Sequence, residues 1–143
     1  MKSVSRIALV VLIVAMLYLL ISGNLLSLTP LVVVGQLLAV AIGVWARRSF
    51  MAGQFSVHAE PAEGQMLSNG PYHYIRHPMY AAALLLVWSG ILGHISPMTV
   101  TVGVITTAVV AIRITVEEQF LRTRYPAYEE YRHKTKRVLP FLV

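Results

Sequence analysis

Between Asn69 and Leu86 the chain reads NGPYHYIRHPMYAAALLL, and its first dozen residues hold Tyr72, Tyr74, Arg76, His77 and Tyr80. His77 precedes Pro78, which biases His77 to an extended conformation and suits Pro78 to the first turn of a helix. Arg76 and His77 then sit at a helix mouth, where free N–H groups and the helix dipole favour an anion. The tyrosines beside them offer faces that pack a flat ring or attract a cation. A second cluster lies in AIRITVEEQF, where Arg113 and Glu117 are four residues apart on one helix face and Glu118 follows. The first cluster can recognise an anion, a cation or an aromatic ring, and the second is an interfacial ion pair or part of a site. Each also has a plainer explanation. Tyrosines with a snorkelling arginine make an interfacial aromatic belt, and a terminal ion pair can simply mark the end of a span. A belt needs neither a histidine nor this density of tyrosines.

The elements that must position these residues are apolar helices. Only 13% of the 143 residues are charged and 57% are hydrophobic, far from the roughly 25% charged of a soluble domain. A spanning helix needs about 20 apolar residues. Four stretches approach that, at about 7–28, 31–48, 79–95 and 98–118. Ser22-Gly23-Asn24 with Thr29-Pro30, and Ser96-Pro97, mark tight junctions between the first and second pairs. The expected fold is an all-α integral membrane protein, one domain over 1–143, with about four transmembrane helices, a cytoplasmic loop and an interfacial C-terminal helix after Pro126. No internal repeat or low-complexity tract interrupts it.

The charges orient this bundle. Net charge is +6, with six glutamates and no aspartate. Lys2 and Arg6 precede the first span, Arg47, Arg48 and Arg76 lie between the second and third, and six basic residues from Arg122 to Arg137 follow the fourth. The two tight junctions carry none, so both termini and the polar clusters are expected on the cytoplasmic side. The basic surplus is thereby assigned to the membrane surface and not to nucleic acid. A cleaved signal peptide is not expected, because the first apolar run is long and no A-x-A site follows it. With no cysteine, disulfides, thiolate metal sites and a cysteine nucleophile are excluded. The tail YEEYRHKTKR reads as an amphipathic surface helix with Tyr128 and Tyr131 on one face, solvated or binding headgroups.

GPYHYIRHPMY, followed after a proline-broken hairpin by RITVEEQFLRTRYPAYEEYRHKTKRVLPF, resembles the carboxyl-terminal core of the isoprenylcysteine carboxyl methyltransferase family and its phospholipid methyltransferase relatives. The resemblance covers about residues 70–140; the first two helices match only as generic spans. It implies S-adenosylmethionine as methyl donor, held by the membrane fold itself, and the chain contains no G-x-G of a soluble dinucleotide-type site. Carried over by position, Tyr72, Arg76, His77, Tyr80 and Glu118 would form the cofactor pocket, while Arg113 and Glu117 would face a lipophilic acceptor entering between helices. Ala82 stands where relatives often carry glycine, narrowing a helix contact or the cofactor cleft.

An isoprenoid carboxylate acceptor needs only Arg113 to orient it, whereas a phospholipid amine must lose a proton, which would make Glu117 a general base. No metal site and no obligate protein partner are implied. Two other readings are weaker. A sterol-type membrane reductase would use NADPH, with Arg132, Lys134 and Lys136 on its 2′-phosphate. A small four-helix transporter needs an acidic residue deep in a span, and the first three spans have none.

Overall fold

Three of the helices begin at a proline. Pro30, Pro78 and Pro97 each occupy the first turn of a helix, where the missing N–H costs nothing and the fixed φ favours helix entry. A computed structural model describes residues 2–50 and 67–138, without the side chains of residues 2–5. Residues 51–66, most of the expected loop, and the terminal Pro140 lie outside the described residues. The chain is all-helical, with α1 Lys2–Ile21, α2 Pro30–Arg48, α3 Pro78–Gly93, α4 Pro97–Arg124 and α5 Tyr128–Lys134. A short 3₁₀ turn, Gly70–His73, leads into α3.

The first helix is shorter than its apolar run. It was expected to reach Leu28 but ends at Ile21, because Gly23 takes φ +72 and the N–H groups of Asn24 and Leu25 both turn back to Leu19 O at 2.9 Å. That left-handed glycine is a helix stop which hydrophobicity does not reveal. The fourth helix departs the other way, continuing past Glu118 to Arg124. Ser96 caps its start by accepting from Thr99 N at 3.1 Å, while Ser96 N donates to Thr99 Oγ1 at 2.9 Å.

Helix α2 runs antiparallel to α3, and small residues let the two approach. A Cβ on Gly35 would strike Ser89 Oγ, one on Gly43 would stand 3.6 Å from the Ala82 Cβ, and one on Gly93 would press Val32 at the far end. Ala82 is buried and faces α2, so the alanine narrows a helix contact. Helix α1 packs against α4. A hydrophobic cluster of Leu19, Leu25, Val87 and Ile91, flanked by Met16, Leu86, Trp88 and Val102, fills the end of the bundle that carries the two tight turns. There His94 Nε2 reaches Leu26 O at 2.9 Å, tying one turn to the other, and Gln36 donates to Leu25 O at 2.8 Å, tying the first turn to α2.

Two of these helices, α2 and α4, are long and apolar enough to cross a membrane, while Arg6–Ile21 and α3 are shorter apolar helices beside them. Only 17% of the α2 apolar window is buried, with Leu31, Val34, Leu37, Leu38, Val40 and Val44 all exposed. A soluble protein hides such a helix in its core. This one turns its apolar side outward.

Candidate functional site

At the opposite end of the bundle the residues before α3 form an extended ribbon. The ribbon pairs in parallel with the chain beyond α5: Lys136 N donates to Tyr74 O at 3.1 Å, Arg76 N to Lys136 O at 2.7 Å and His77 N to Arg137 O at 2.9 Å. This pairing corrects the expectation of a tail that is only solvated or bound to headgroups. Residues 135–137 form a strap along the Arg-His-Pro segment.

Arg76 is the pin of the arrangement. Its Nε donates to Glu118 Oε1 at 3.0 Å, and its Nη1 donates to Arg132 O at 2.9 Å and to Thr135 O. One side chain thus joins α4 to the ribbon and satisfies carbonyls at the end of α5 that the helix leaves open. Glu118 Oε2 accepts from Arg137 Nη2 at 3.1 Å, so an arginine engages each oxygen of this buried carboxylate. A carboxylate so buried needs such compensation. Glu118 therefore welds α4, the ribbon and the strap together.

His77 lies beside that weld, 3% exposed, with Nδ1 3.8 Å from Glu117 Oε2 and Nε2 3.5 Å from Glu118 Oε1. At that distance Nε2 makes no hydrogen bond among the described residues, and Glu118 is its nearest charged neighbour. The Tyr80 ring centroid stands 5.8 Å from that of His77, and its hydroxyl accepts from Arg113 Nε at 3.1 Å. The Arg113 guanidinium carbon is also 5.9 Å from the Tyr80 ring centroid. Arg113 is 3% exposed on α4, whereas the neighbouring Glu117 side chain keeps 30% of its surface open.

Tyr72 joins the group through the 3₁₀ turn. Gly70 opens that turn at φ +57, and a Cβ there would also strike Ser49 Oγ. The Tyr72 ring meets Phe50 edge-on at 5.6 Å, and its carbonyl accepts the Tyr131 hydroxyl at 2.6 Å. Burial lifts the Tyr72 phenol well above the ordinary tyrosine range, and the charge of Glu117 adds to the effect. Burial also pushes Tyr131 up to about 12. Both are neutral hydroxyls at physiological pH.

The seven residues carried over to the cofactor pocket and the acceptor thus gather at one end of the bundle, while Tyr74 is 62% exposed. Arg76, His77 and Glu118 touch directly, Tyr80, Arg113 and Glu117 adjoin them, and Tyr72 closes the side next to α2. The sequence reading passed over Arg137 and Thr135, which carry no local signal, since their partners lie far away in the chain. Tyr128 and Tyr131 were visible as a spaced pair, but nothing in the spacing aimed them at the site. Arg132 and Lys134, offered above for a 2′-phosphate, are occupied by Glu129 at 2.7 Å and Glu130 at 2.6 Å.

The cobalt-zinc-cadmium resistance protein CzcN of Cupriavidus metallidurans is 35% identical over 85 residues, covering 54% of this chain and 36% of that protein. The match thus spans about a third of the relative's length. No solved structure matches. A family model described as phospholipid methyltransferase matches residues 27–128, from the turn after α1 to the first residue of α5 and across every one of the seven clustered residues. The chain belongs to the phospholipid methyltransferase family.

Proposed function

We propose that this chain is a multi-pass membrane methyltransferase that uses S-adenosylmethionine to methylate a lipophilic acceptor, an isoprenoid carboxylate or a phospholipid amine, at the cytoplasmic face. In this reading all four long helices cross the bilayer, the shorter α1 and α3 through locally thinned lipid, and both termini are cytoplasmic. The observation that carries it is the contrast within one cluster: Arg76, His77, Arg113 and Glu118 are buried, while the Glu117 side chain, 3.8 Å from His77 Nδ1, keeps 30% of its surface exposed.

The residues suit the cofactor. It presents a carboxylate, an ammonium, an adenine ring and a sulfonium; the cluster offers arginines, carboxylates, tyrosine faces and the unpartnered His77 Nε2. When bound, the cofactor supplies an electrophilic methyl group on sulfur. Tyr72, His77 and Tyr80 would line its pocket. Arg76 and Glu118 belong to the same pocket as positioning residues, because their ion pair fixes the ribbon and holds His77 in place. Methyl transfer is an in-line displacement that demands alignment and exclusion of water, and buried, mutually bonded walls supply both.

Arg113 and Glu117 face the acceptor. Arg113, braced by the Tyr80 hydroxyl, would hold an acceptor carboxylate in line. Glu117 would take the proton of an acceptor amine, the one step for which a base is needed.

Calorimetry of the detergent-purified protein against S-adenosylhomocysteine and NADPH tests the reading. Micromolar binding of the first and none of the second is expected. Binding of NADPH alone would transfer the site to a reductase and sink the proposal. Membrane lipid extract incubated with methyl-labelled cofactor then identifies the acceptor, with label expected in a lipid fraction.

A further inference from the structure

Near Glu118, two buried polar atoms have no hydrogen-bond partner among the described residues. One is His77 Nε2, and the other is the hydroxyl of Tyr128, a residue given no role above. Tyr128 is 0% exposed, and the charges acting most strongly on its phenol are Glu118 and then Arg76. Phenylalanine would fill the same space without burying a hydroxyl that bonds to nothing, so the oxygen is a cost to the ligand-free fold. Its neighbour on α5 shows the contrast: the Tyr131 hydroxyl is satisfied by Tyr72 O at 2.6 Å.

Nor is Tyr128 free to turn away. Arg76 holds the far end of α5 through Arg132 O and Thr135 O, and the strap beyond is paired to the ribbon. Burial raises the phenol above the usual tyrosine range, and Glu118 raises it further, so at neutral pH it is a hydrogen-bond donor and not an anion. The hydroxyl is buried, feels the charges of Glu118 and Arg76, and donates to no described group.

We infer that the Tyr128 hydroxyl is a ligand-contacting group of this site, donating a hydrogen bond to an acceptor oxygen of the cofactor. The inference rests on the methyltransferase reading. The oxygen belongs either to the amino-acid carboxylate or to the ribose, and the two sources are separable by ligand.

The test compares wild type, Tyr128→Phe and Tyr131→Phe, purified in detergent, by thermal unfolding and calorimetry with S-adenosylhomocysteine and 5′-methylthioadenosine, which lacks the amino-acid end. Tyr128→Phe is expected to unfold at or above the wild-type temperature without ligand, yet to bind S-adenosylhomocysteine about tenfold more weakly, the loss of one hydrogen bond to a polar group. Tyr131→Phe, which removes a satisfied bond, is expected to lower the ligand-free unfolding temperature. Weaker binding of S-adenosylhomocysteine alone places the oxygen on the carboxylate, and weaker binding of both ligands places it on the ribose; either supports the inference. If wild type binds and Tyr128→Phe binds equally well, the hydroxyl has no ligand role and the inference falls while the enzyme reading stands. A lower ligand-free unfolding temperature for Tyr128→Phe, with its tenfold loss absent, assigns the hydroxyl to the fold and also overturns it. If wild type binds neither ligand, both readings fall together.

Discussion

The two adjacent glutamates of α4 divide their work by exposure. Glu118 is consumed by Arg76 and Arg137, whereas Glu117 is open. Glu117→Gln is expected to leave the affinity for S-adenosylhomocysteine within about threefold and, with an amine acceptor, to slow transfer by about 10²-fold or more, the usual contribution of a general base. Turnover against calorimetric affinity separates the two effects, and full turnover with an amine acceptor would remove the base role. Arg76→Leu is expected to act on the fold instead. It strands Glu118 with one partner and uncaps α5, and breaking a buried ion pair costs about 3–5 kcal/mol, read as a large fall in unfolding temperature. Arg76→Lys should recover little, because a single ammonium cannot supply both the Nε and Nη1 contacts. The residue types of this site were legible in the sequence, since arginine, histidine and paired glutamates are expensive near a membrane. Which glutamate does which task was not, because that depends on Arg137 returning from beyond α5.

At the scale of elements, proline and glycine explain what was readable and what was not. Pro78 and Pro97 announced the starts of α3 and α4, as a ring that fits only a first turn must. The end of α1 was set too late although Ser22-Gly23-Asn24 marked a turn, because Leu25, Leu26 and Leu28 continue the apolar run past Gly23, whose left-handed φ makes the stop. Gly90 shows a different use of glycine: a Cβ there would stand 2.3 Å from Leu25 O, a backbone atom with nowhere to go. Gly90→Ala is therefore expected to destabilise by about 1–3 kcal/mol through overpacking. At Gly23 a Cβ meets nothing within 4 Å, so Gly23→Ala should cost only the left-handed backbone strain, about 1–2 kcal/mol. Chemical or thermal unfolding of the pair tests whether contact or conformation governs each site, and Gly90→Ala should also loosen the His94 bond that joins the two turns and the Gln36 bond that ties the first turn to α2.

The whole molecule is sorted end to end. Apolar packing and the two tight turns occupy one end, while the ion pairs, the strap and the open carboxylate occupy the other. Composition foretold that asymmetry; the tertiary return of residues 135–137 was beyond it. The proposed topology can be probed directly, because the chain contains no cysteine to replace. With Asn24→Cys or Lys134→Cys introduced singly, a membrane-impermeant maleimide added to intact cells is expected to label the first and spare the second until the membrane is opened. Labelling of both, or of Lys134→Cys alone, would overturn the orientation.

Helix α4 adds one more consequence. It is unbroken from its Ser96 cap to Arg124, and Glu117 lies twenty residues into it, roughly 30 Å along the axis at about 1.5 Å per residue. That distance is about the thickness of a bilayer's hydrocarbon core. If the cap is moored at one water interface, the helix is a ruler that sets the reactive carboxylate at the other. An acceptor's reactive group must then reach a fixed depth, and lipid chain length becomes a determinant of turnover even for acceptors with identical headgroups. Reconstitution into bilayers of graded acyl length should give a turnover maximum where hydrocarbon thickness matches the ruler.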